Sequence, residues 1–489
     1  MDAPLAGVRV VEVAHFVAVP AAGALLADLG ADVLKVEIPK GEIYRHGRPR
    51  FSGYDCDFSE SPPFQMDNKG KRSIALDLTN PEARKALLRL IDGAEIFITN
   101  LLPARRVKFG LDHETLLARH PRLLVGGISG YGHGGDRENW PAFDYTAYWA
   151  RTGMMDAMRD EGVPPSLQRP AVGDHAAAVN LVCGLLCAMR LRDATGKGQY
   201  VDVSLLQTGL HILGTDVANA LVTRKPAQRH DRRCPMNPLW NSYPVAGDRW
   251  LLLVMIEPDR YWPRLCDAIG RSELCADPLY EDAWKRHENS RELVAEFEGT
   301  FAQRSLDEWA PVLDAAGLIW APVNRVDEAI EDPEIRALGY IQEIEHATAG
   351  RFETVAPPFR IEGAKLGASR ASSPLHSDAR EILREAGLAE GWCQPLLTTD
   401  LEVAGRLASD PRVDFFSFIG SAGVGWMLRA RLAPGTRCAL EHGGAAPVIV
   451  AADADIDDAG PLLFGLPGNN SHFKALTRRS EFDIIRLRG

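Results

Sequence analysis

Cysteine is scarce in this chain, with eight in 489 residues. None stands in a CxxC pair or beside a histidine cluster, which argues against a disulfide framework or a zinc site and for reduced thiols in a cytoplasm. Positive charge is also short: 55 Lys and Arg face 66 Asp and Glu, a net charge of −11. Broad attraction to nucleic acid or to an anionic membrane is therefore not expected, and an anionic ligand has to be caught by a local cluster. Long apolar runs are missing. The longest, residues 176–189, spans 14 positions and contains Asn180, against the roughly 20 needed to cross a bilayer, so the chain reads as soluble. The opening MDAPLAGVRVVEV has no basic segment followed by an apolar one, so nothing there reads as an export signal. Cys183 and Cys187, one helical turn apart, are expected to pack in the core.

What is present is an ordinary globular composition, 46% hydrophobic and 25% charged, long enough for about three domain-sized units. Short apolar runs at residues 8–13, 33–36, 74–76, 96–99 and 123–128 alternate with helical patterns such as 21–29 and 81–91. That order implies an α/β fold with a parallel sheet covered by helices. Such sheets bind ligands beyond the carboxyl ends of their strands, so the segments after Val13, Thr99 and Ile128 are where chemistry is expected. A long helix is expected from Asp174 to about residue 193, then a strand over 201–205. Residues 224–243, rich in Arg, Pro and Asn, read as a linker or exposed loop before a smaller unit that ends near residue 325.

One fragment leaves two readings open. In RPAVGD, residues 169–174, an Asp preceded by Gly at a helix start is a natural N-cap. The same position lets the helix dipole and backbone N–H groups keep a carboxylate ionised and aimed into a crevice, where it could attack a carbonyl. Composition does not choose between cap and nucleophile.

The neighbouring segments, taken in order, are LAGVRVVEV (5–13), LLADLGADVLKVE (25–37), NKGKRSIALDL (68–78), NLLP (100–103), SGYG (129–132), the Gly173-Asp174 step and GKGQYVDVS (196–204). Over residues 5–388 the chain thereby resembles the family III CoA-transferases, whose relatives include acyl-CoA racemases. The resemblance implies a Rossmann-like large domain over residues 1–225, a smaller α+β domain over 226–325, and a return segment over 326–388. It implies that Asp174 attacks an acyl-CoA thioester, and that the reaction needs coenzyme A as substrate but no permanent cofactor and no metal. The CoA-contacting positions it implies are His15, Phe16, Val17, Arg45, Lys71, Arg72, Asn100 and Lys108, with Tyr131 and Gly132 near the developing oxyanion. An interlocked homodimer is implied as well, without nucleic-acid or membrane partners.

Departures from the family pattern bear on substrate shape: Val17 and Val19 stand where many relatives have a polar residue and Gly, and Leu101 replaces a common aromatic. Racemase relatives carry a His directly before the position of Asp144, where this chain has Phe143, and phenylalanine transfers no proton. His175 and His133 remain as other candidate bases, so an acyl-CoA isomerase stays as the alternative, and a catalytically impaired CoA-binding protein as a third. From about residue 393 to 460 the segments VDFFSFIGSAGVG (413–425) and LEHGGAAPVIV (440–450) resemble aldehyde dehydrogenases, with Glu441 at the general-base position. No cysteine follows it, so a Glu base there has no thiol to activate and dehydrogenase activity is not expected. Residues 389–489 therefore read as a fused α/β fragment and tail.

Overall fold

A computed structural model describes residues 3–46, 61–347, 350–368, 370–387, 401–413, 415–420 and 422–442. The chain forms two compact units, residues 1–394 and 395–489. In the first, strands β1 (Arg9–Val13), β2 (Asp32–Glu37), β3 (Arg72–Ala75), β4 (Ile96–Thr99), β5 (Leu124–Ser129) and β6 (Gln199–Ser204) make one sheet in the order β3-β2-β1-β4-β5-β6. Every pairing in it is parallel. The central strands are buried on both faces, which is why they read as apolar runs rather than as alternating patterns.

Between the strands run α1 (Ala18–Asp28), α2 (Pro62–Asn68), α3 (Pro81–Asp92), α4 (Pro103–Phe109) and α5 (His113–Arg119). Their starts are legible in the sequence. Ser61, Asn80 and Asp112 cap α2, α3 and α5 through side-chain oxygens, and a proline opens α2, α3 and α4. After β5 come a π-helical turn (Tyr145–Ala150), the short α6 (Met154–Ala157), α7 (Val172–Thr195), then β6 and helices α8 (Leu205–Ile212) and α9 (Gly214–Thr223). Helices α1 and α7 cover one face of the sheet with Leu25, Leu26, Leu181 and Leu185; α3 and α5 cover the other with Leu87, Ile91 and Leu116.

At 24 residues, α7 exceeds the 14-residue apolar run read from the sequence. By length and composition alone it suffices to cross a bilayer, and its inner side packs on α1, β5 and β6. The expectation for its cysteines is overturned. Cys183 and Cys187 face outward with Val179, Leu186 and Leu191, because Leu181, Val182 and Leu185 take the inward positions of the same turns.

Beyond α9, β7 (Trp240–Val245), β8 (Arg249–Val254) and β9 (Trp320–Pro322) form an antiparallel sheet over a separate core of Trp262, Phe297, Phe301 and Trp309. The linker expected over residues 224–243 is therefore too long by several residues. Trp240 to Tyr243 pair with β8, and Asn241 and Tyr243 are buried. A hairpin of β10 (Ile341–His346) and β11 (Gly350–Val355) leads back to the large sheet. There Ser73 donates its N–H to Asp378 at 2.7 Å, Ala75 donates to His376 Nδ1 at 3.0 Å, and Arg72 pairs with Glu385 on the helix Ala379–Glu385.

The second unit holds a helix (Leu401–Ser409), strands β12 (Phe415–Gly420) and β13 (Arg437–His442) paired in parallel, and a helix (Ala422–Arg429) between them. Glu441 lies in the backbone of β13. The tail expectations beyond residue 442 lie outside the described residues.

Candidate active site

The strand order reverses between β1 and β4, the kind of point at which a parallel sheet characteristically opens a ligand crevice beyond its strand ends. One amide spans it. Asn100, just after β4, accepts the N–H of His15 at 3.2 Å and donates to the His15 carbonyl at 2.6 Å. Asn100 thus fixes the turn after β1 and sets where His15, Phe16 and Val17 stand. Phe16 sits at φ +62°, a conformation unusual for an aromatic residue. Its N–H is held by Glu42 Oε2 at 2.6 Å. Val17 is buried and immediately precedes α1, while His15 and Phe16 are partly exposed. Burial and the charges of Lys35 and Arg105 lower the pKa of His15, which favours a neutral imidazole.

A buried ion network lies beneath this turn. Lys35 pairs with Glu12 at 3.0 Å and Glu42 at 2.8 Å, and donates to the Ala14 carbonyl at 3.3 Å. Lys71 pairs with Glu12 at 2.8 Å and donates to the carbonyls of Pro20 and Asp67 and to Asn68 Oδ1. Arg45 is bidentate on Glu37 and reaches the Ser373 carbonyl; Arg72 holds Asp32 and Glu385. These three cations stand at positions expected to contact CoA. In the structure all three are buried and bonded to internal partners. Lys108 differs: it is exposed on α4, above the Phe109 ring, three residues from the exposed Arg105. Arg105 is a position the sequence reading missed.

Helix α7 starts at Val172, with Ala171 in the left-handed region as its N-cap residue. Asp174 is therefore inside the first turn and is not the cap. That task falls to Asp144, nearly 30 residues upstream, whose Oδ2 accepts the Gly173 N–H at 3.3 Å. The Asp174 carboxylate, partly buried, has no hydrogen bond or ion pair among the described residues. Its ionisation differs from expectation. Burial comes first, then the charges of Asp144 and Asp67; against the opposing His175 they push its pKa up to about 7, outweighing its first-turn position. Burial likewise raises Asp144, against the N–H groups of Gly173, Tyr145 and Ala171.

The next residue points elsewhere. His175 Nε2 meets Asp67 Oδ1 at 2.9 Å, and Tyr44 donates its hydroxyl to Asp67 Oδ2 at 3.3 Å. Burial works against the imidazolium, but the hydrogen bond and charge of Asp67, with Asp174 and Asp144, raise His175 above its ordinary pKa. Asp67 and Tyr44 carried no signal in the sequence, since 108 positions separate Asp67 from its histidine. Phe143 packs edge-on against Phe16 at 5.5 Å, which ties the segment of Asp144 to the turn after β1. His133 belongs to a different group, stacked around Tyr200 with His113. Gly132 donates its N–H to Ser129 Oγ at 3.0 Å, so the oxyanion donor expected there is already engaged. Tyr131 packs on the core with the Arg151 guanidinium 5.4 Å from its ring.

The glycine before Asp174 is required by close packing. A Cβ on Gly173 would lie 2.5 Å from the ring of Tyr148, which is buried and itself edge-on to Trp149. Gly173→Ala is expected to cost about 1–3 kcal/mol of stability through overpacking and to displace the first turn of α7. Thermal unfolding and transfer assays should show both losses, and an unchanged melting temperature would refute the clash.

Comparison with known proteins agrees with this architecture. The profile of CoA-transferase family III matches residues 5–378, and that of the aldehyde dehydrogenase family matches residues 369–465. The second match starts earlier than the motifs suggest and takes in the segment bonded to β3. A cinnamoyl-CoA:phenyllactate CoA-transferase from Clostridium sporogenes is 30% identical over 389 residues, covering 78% of this chain and 93% of that protein. A succinyl-CoA:mesaconate CoA-transferase from Haloarcula hispanica is 30% identical over 396 residues, covering 78% and 96%. A solved CaiB/BaiF family protein from Brucella suis aligns with a TM-score of 0.71 at 29% identity, over 78% of this chain and 99% of its own. A parallel sheet with its crevice at the β1/β4 reversal, the ordered motifs and a profile matched over most of the sequence lead to one assignment: the chain belongs to CoA-transferase family III.

Proposed function

We propose that this protein transfers CoA from an acyl-CoA to a carboxylic acid through covalent intermediates on Asp174. The Asp174 carboxylate attacks the thioester carbonyl; the C–S bond breaks, CoA leaves as thiolate, and a mixed anhydride remains. The thiolate attacks the aspartyl carbonyl, which releases the first acid as carboxylate and leaves an aspartyl-CoA thioester. The acceptor carboxylate attacks that thioester and expels thiolate again, and the thiolate attacks the acceptor's acyl carbon to give the new acyl-CoA and free Asp174. A carboxylate suits this reversible sequence because anhydride and thioester lie close in energy, whereas a serine ester would be a deep trap.

The observation that carries the reading is the Asp174 carboxylate itself, in the first turn of a helix at a crevice and without a structural partner among the described residues. For the CoA phosphates we assign Lys108 together with Arg105, the exposed cations of α4 beside the His15 turn. His15, Phe16, Val17 and Asn100 form the turn against which the pantetheine arm would lie. The outward apolar residues of α7 and of α9, which has no buried residue, support a homodimer. The scarcity of cysteine supports a cytoplasmic setting.

The test is incubation with cinnamoyl-CoA plus phenyllactate and with succinyl-CoA plus mesaconate, trapping with hydroxylamine, and peptide mass analysis. Label on Asp174 is expected; turnover with label elsewhere would refute the assignment. Because only the ionised carboxylate attacks, kcat/KM for a pair that reacts is expected to rise with pH through about 7 and then level off. A profile flat from pH 5.5 to 8.5 would contradict that ionisation.

A further inference from the structure

Three carboxylates crowd the start of α7: Asp174, Asp144 under the helix terminus, and Asp67 from the end of α2. Asp67 is 2% exposed, with one oxygen on His175 and the other on Tyr44. The cations nearest to it are committed elsewhere. Lys71 reaches the Asp67 backbone carbonyl but pairs its charge with Glu12, and Lys35 serves Glu12 and Glu42. Among the described residues, His175 is the only cationic side chain bonded to the Asp67 carboxylate. Consecutive residues leave a helix about 100° apart, so the imidazole turns toward α2 while the carboxylate before it keeps a different direction.

We propose that His175 is a charge-compensating positioning residue: by pairing with the buried Asp67, it lets the Asp174 carboxylate stand ionised in a crevice that holds two other acidic side chains. The proposal rests on Asp174 being the nucleophile. It assigns His175 no proton transfer in the reaction, since its Nε2 is occupied by Asp67 and the chemistry on Asp174 needs no base. The groups that set the balance are Asp67 and Lys71 at the end of α2 and the start of β3, Tyr44 and Glu42 from the turn after β2, Asp144 beside the π-helical turn, and Asp174 on α7 itself.

The distinguishing experiment is a comparison of pH–rate curves for the intact chain, His175→Gln, and the double variant Asp67→Asn/His175→Gln, with whichever of the two substrate pairs above turns over. Without the imidazolium, Asp67 is left as an uncompensated negative charge, so the His175→Gln midpoint is expected to move alkaline by about one unit, with roughly tenfold less activity at pH 6.5 and little loss at pH 9. Removing Asp67 as well is expected to bring the midpoint back. An unmoved midpoint in His175→Gln, or a double variant no better than the single one, overturns the proposal, because a merely structural role predicts losses without rescue.

A second readout needs no turnover. The His175 ring carbon resonance, identified by its loss in His175→Gln, is expected to titrate above the ordinary histidine value in the intact chain and to fall in Asp67→Asn; identical titrations would refute the pairing. The two failures remain distinct. Transfer retained by Asp174→Asn sinks the catalytic reading, whereas a dead Asp174→Asn beside an unmoved His175→Gln profile sinks only this proposal.

Discussion

Asp174→Asn is expected to abolish transfer, by about 10³-fold or more, while the protein becomes more stable at alkaline pH. The two effects have one cause. The amide keeps the shape of the carboxylate but cannot form an anhydride, and it carries no charge to bury beside Asp144 and Asp67. The sign follows from proton counts. With its pKa raised to about 7 from the ordinary aspartate value of 3.8, the folded chain holds a proton on Asp174 that the unfolded chain has lost, so stability falls as pH rises between those values. Above about pH 7 the whole penalty is present, worth at most about 4 kcal/mol for a fully buried group and less for one that is partly exposed. The difference in melting temperature between Asp174→Asn and the unsubstituted chain should therefore be largest near pH 8 and vanish toward pH 4. Thermal unfolding across that range checks it; a destabilised variant at pH 8 would mean that the carboxylate holds the helix together, as a cap would.

Lys71→Met is expected to destabilise the first unit by about 3–5 kcal/mol, because it leaves the Glu12 carboxylate, 0% exposed, with only Lys35 beside it. The ammonium is itself costly to bury. Burial and the charge of Lys35 lower its pKa to about 8 against the pull of Glu12, so at pH 7 it is still charged and paired. The loss should be partly recovered in Glu12→Gln/Lys71→Met, where no charge is left unpartnered. Denaturant unfolding of the two variants separates the cases. If Lys71 instead contacts a CoA phosphate and has no structural role, the single variant keeps its stability and loses only CoA affinity. The same network explains the small residue at Gly23, where a Cβ on α1 would come within 2.1 Å of Glu12 Oε2.

Much of the fold was legible because its causes are local. Buried parallel strands need apolar runs, helices α2 and α3 announce themselves through a capping residue followed by proline, and Gly196 marks the end of α7 with a left-handed turn. The misread elements depended on what packs against them. Residues 240–243 look like loop by composition, yet they close a hairpin with β8. Cys183 and Cys187 look like core by residue type, yet Leu181 and Leu185 of the same helix already fill the inward face.

For the proposed site, the ordered motifs and the family resemblance they carry point to Asp174 and its preceding glycine, and the rule that parallel sheets open at their carboxyl ends points to the turns after β1 and β4, while the fragment around Asp174 taken by itself left cap and nucleophile open. It could not assign partners to charges. Arg45, Lys71 and Arg72 look in sequence like phosphate ligands, and only the tertiary structure shows them neutralised beneath the crevice. Nor could it say that Asp144 caps the helix while Asp174 has no bonded partner among the described residues, or that Asp67 meets His175. A pattern along the chain records which residues are apolar or acidic, whereas the energy of a buried charge depends on what lies within a few ångströms of it, and those neighbours here lie at separations as different as 8 residues, for Arg45 and Glu37, and 313, for Arg72 and Glu385.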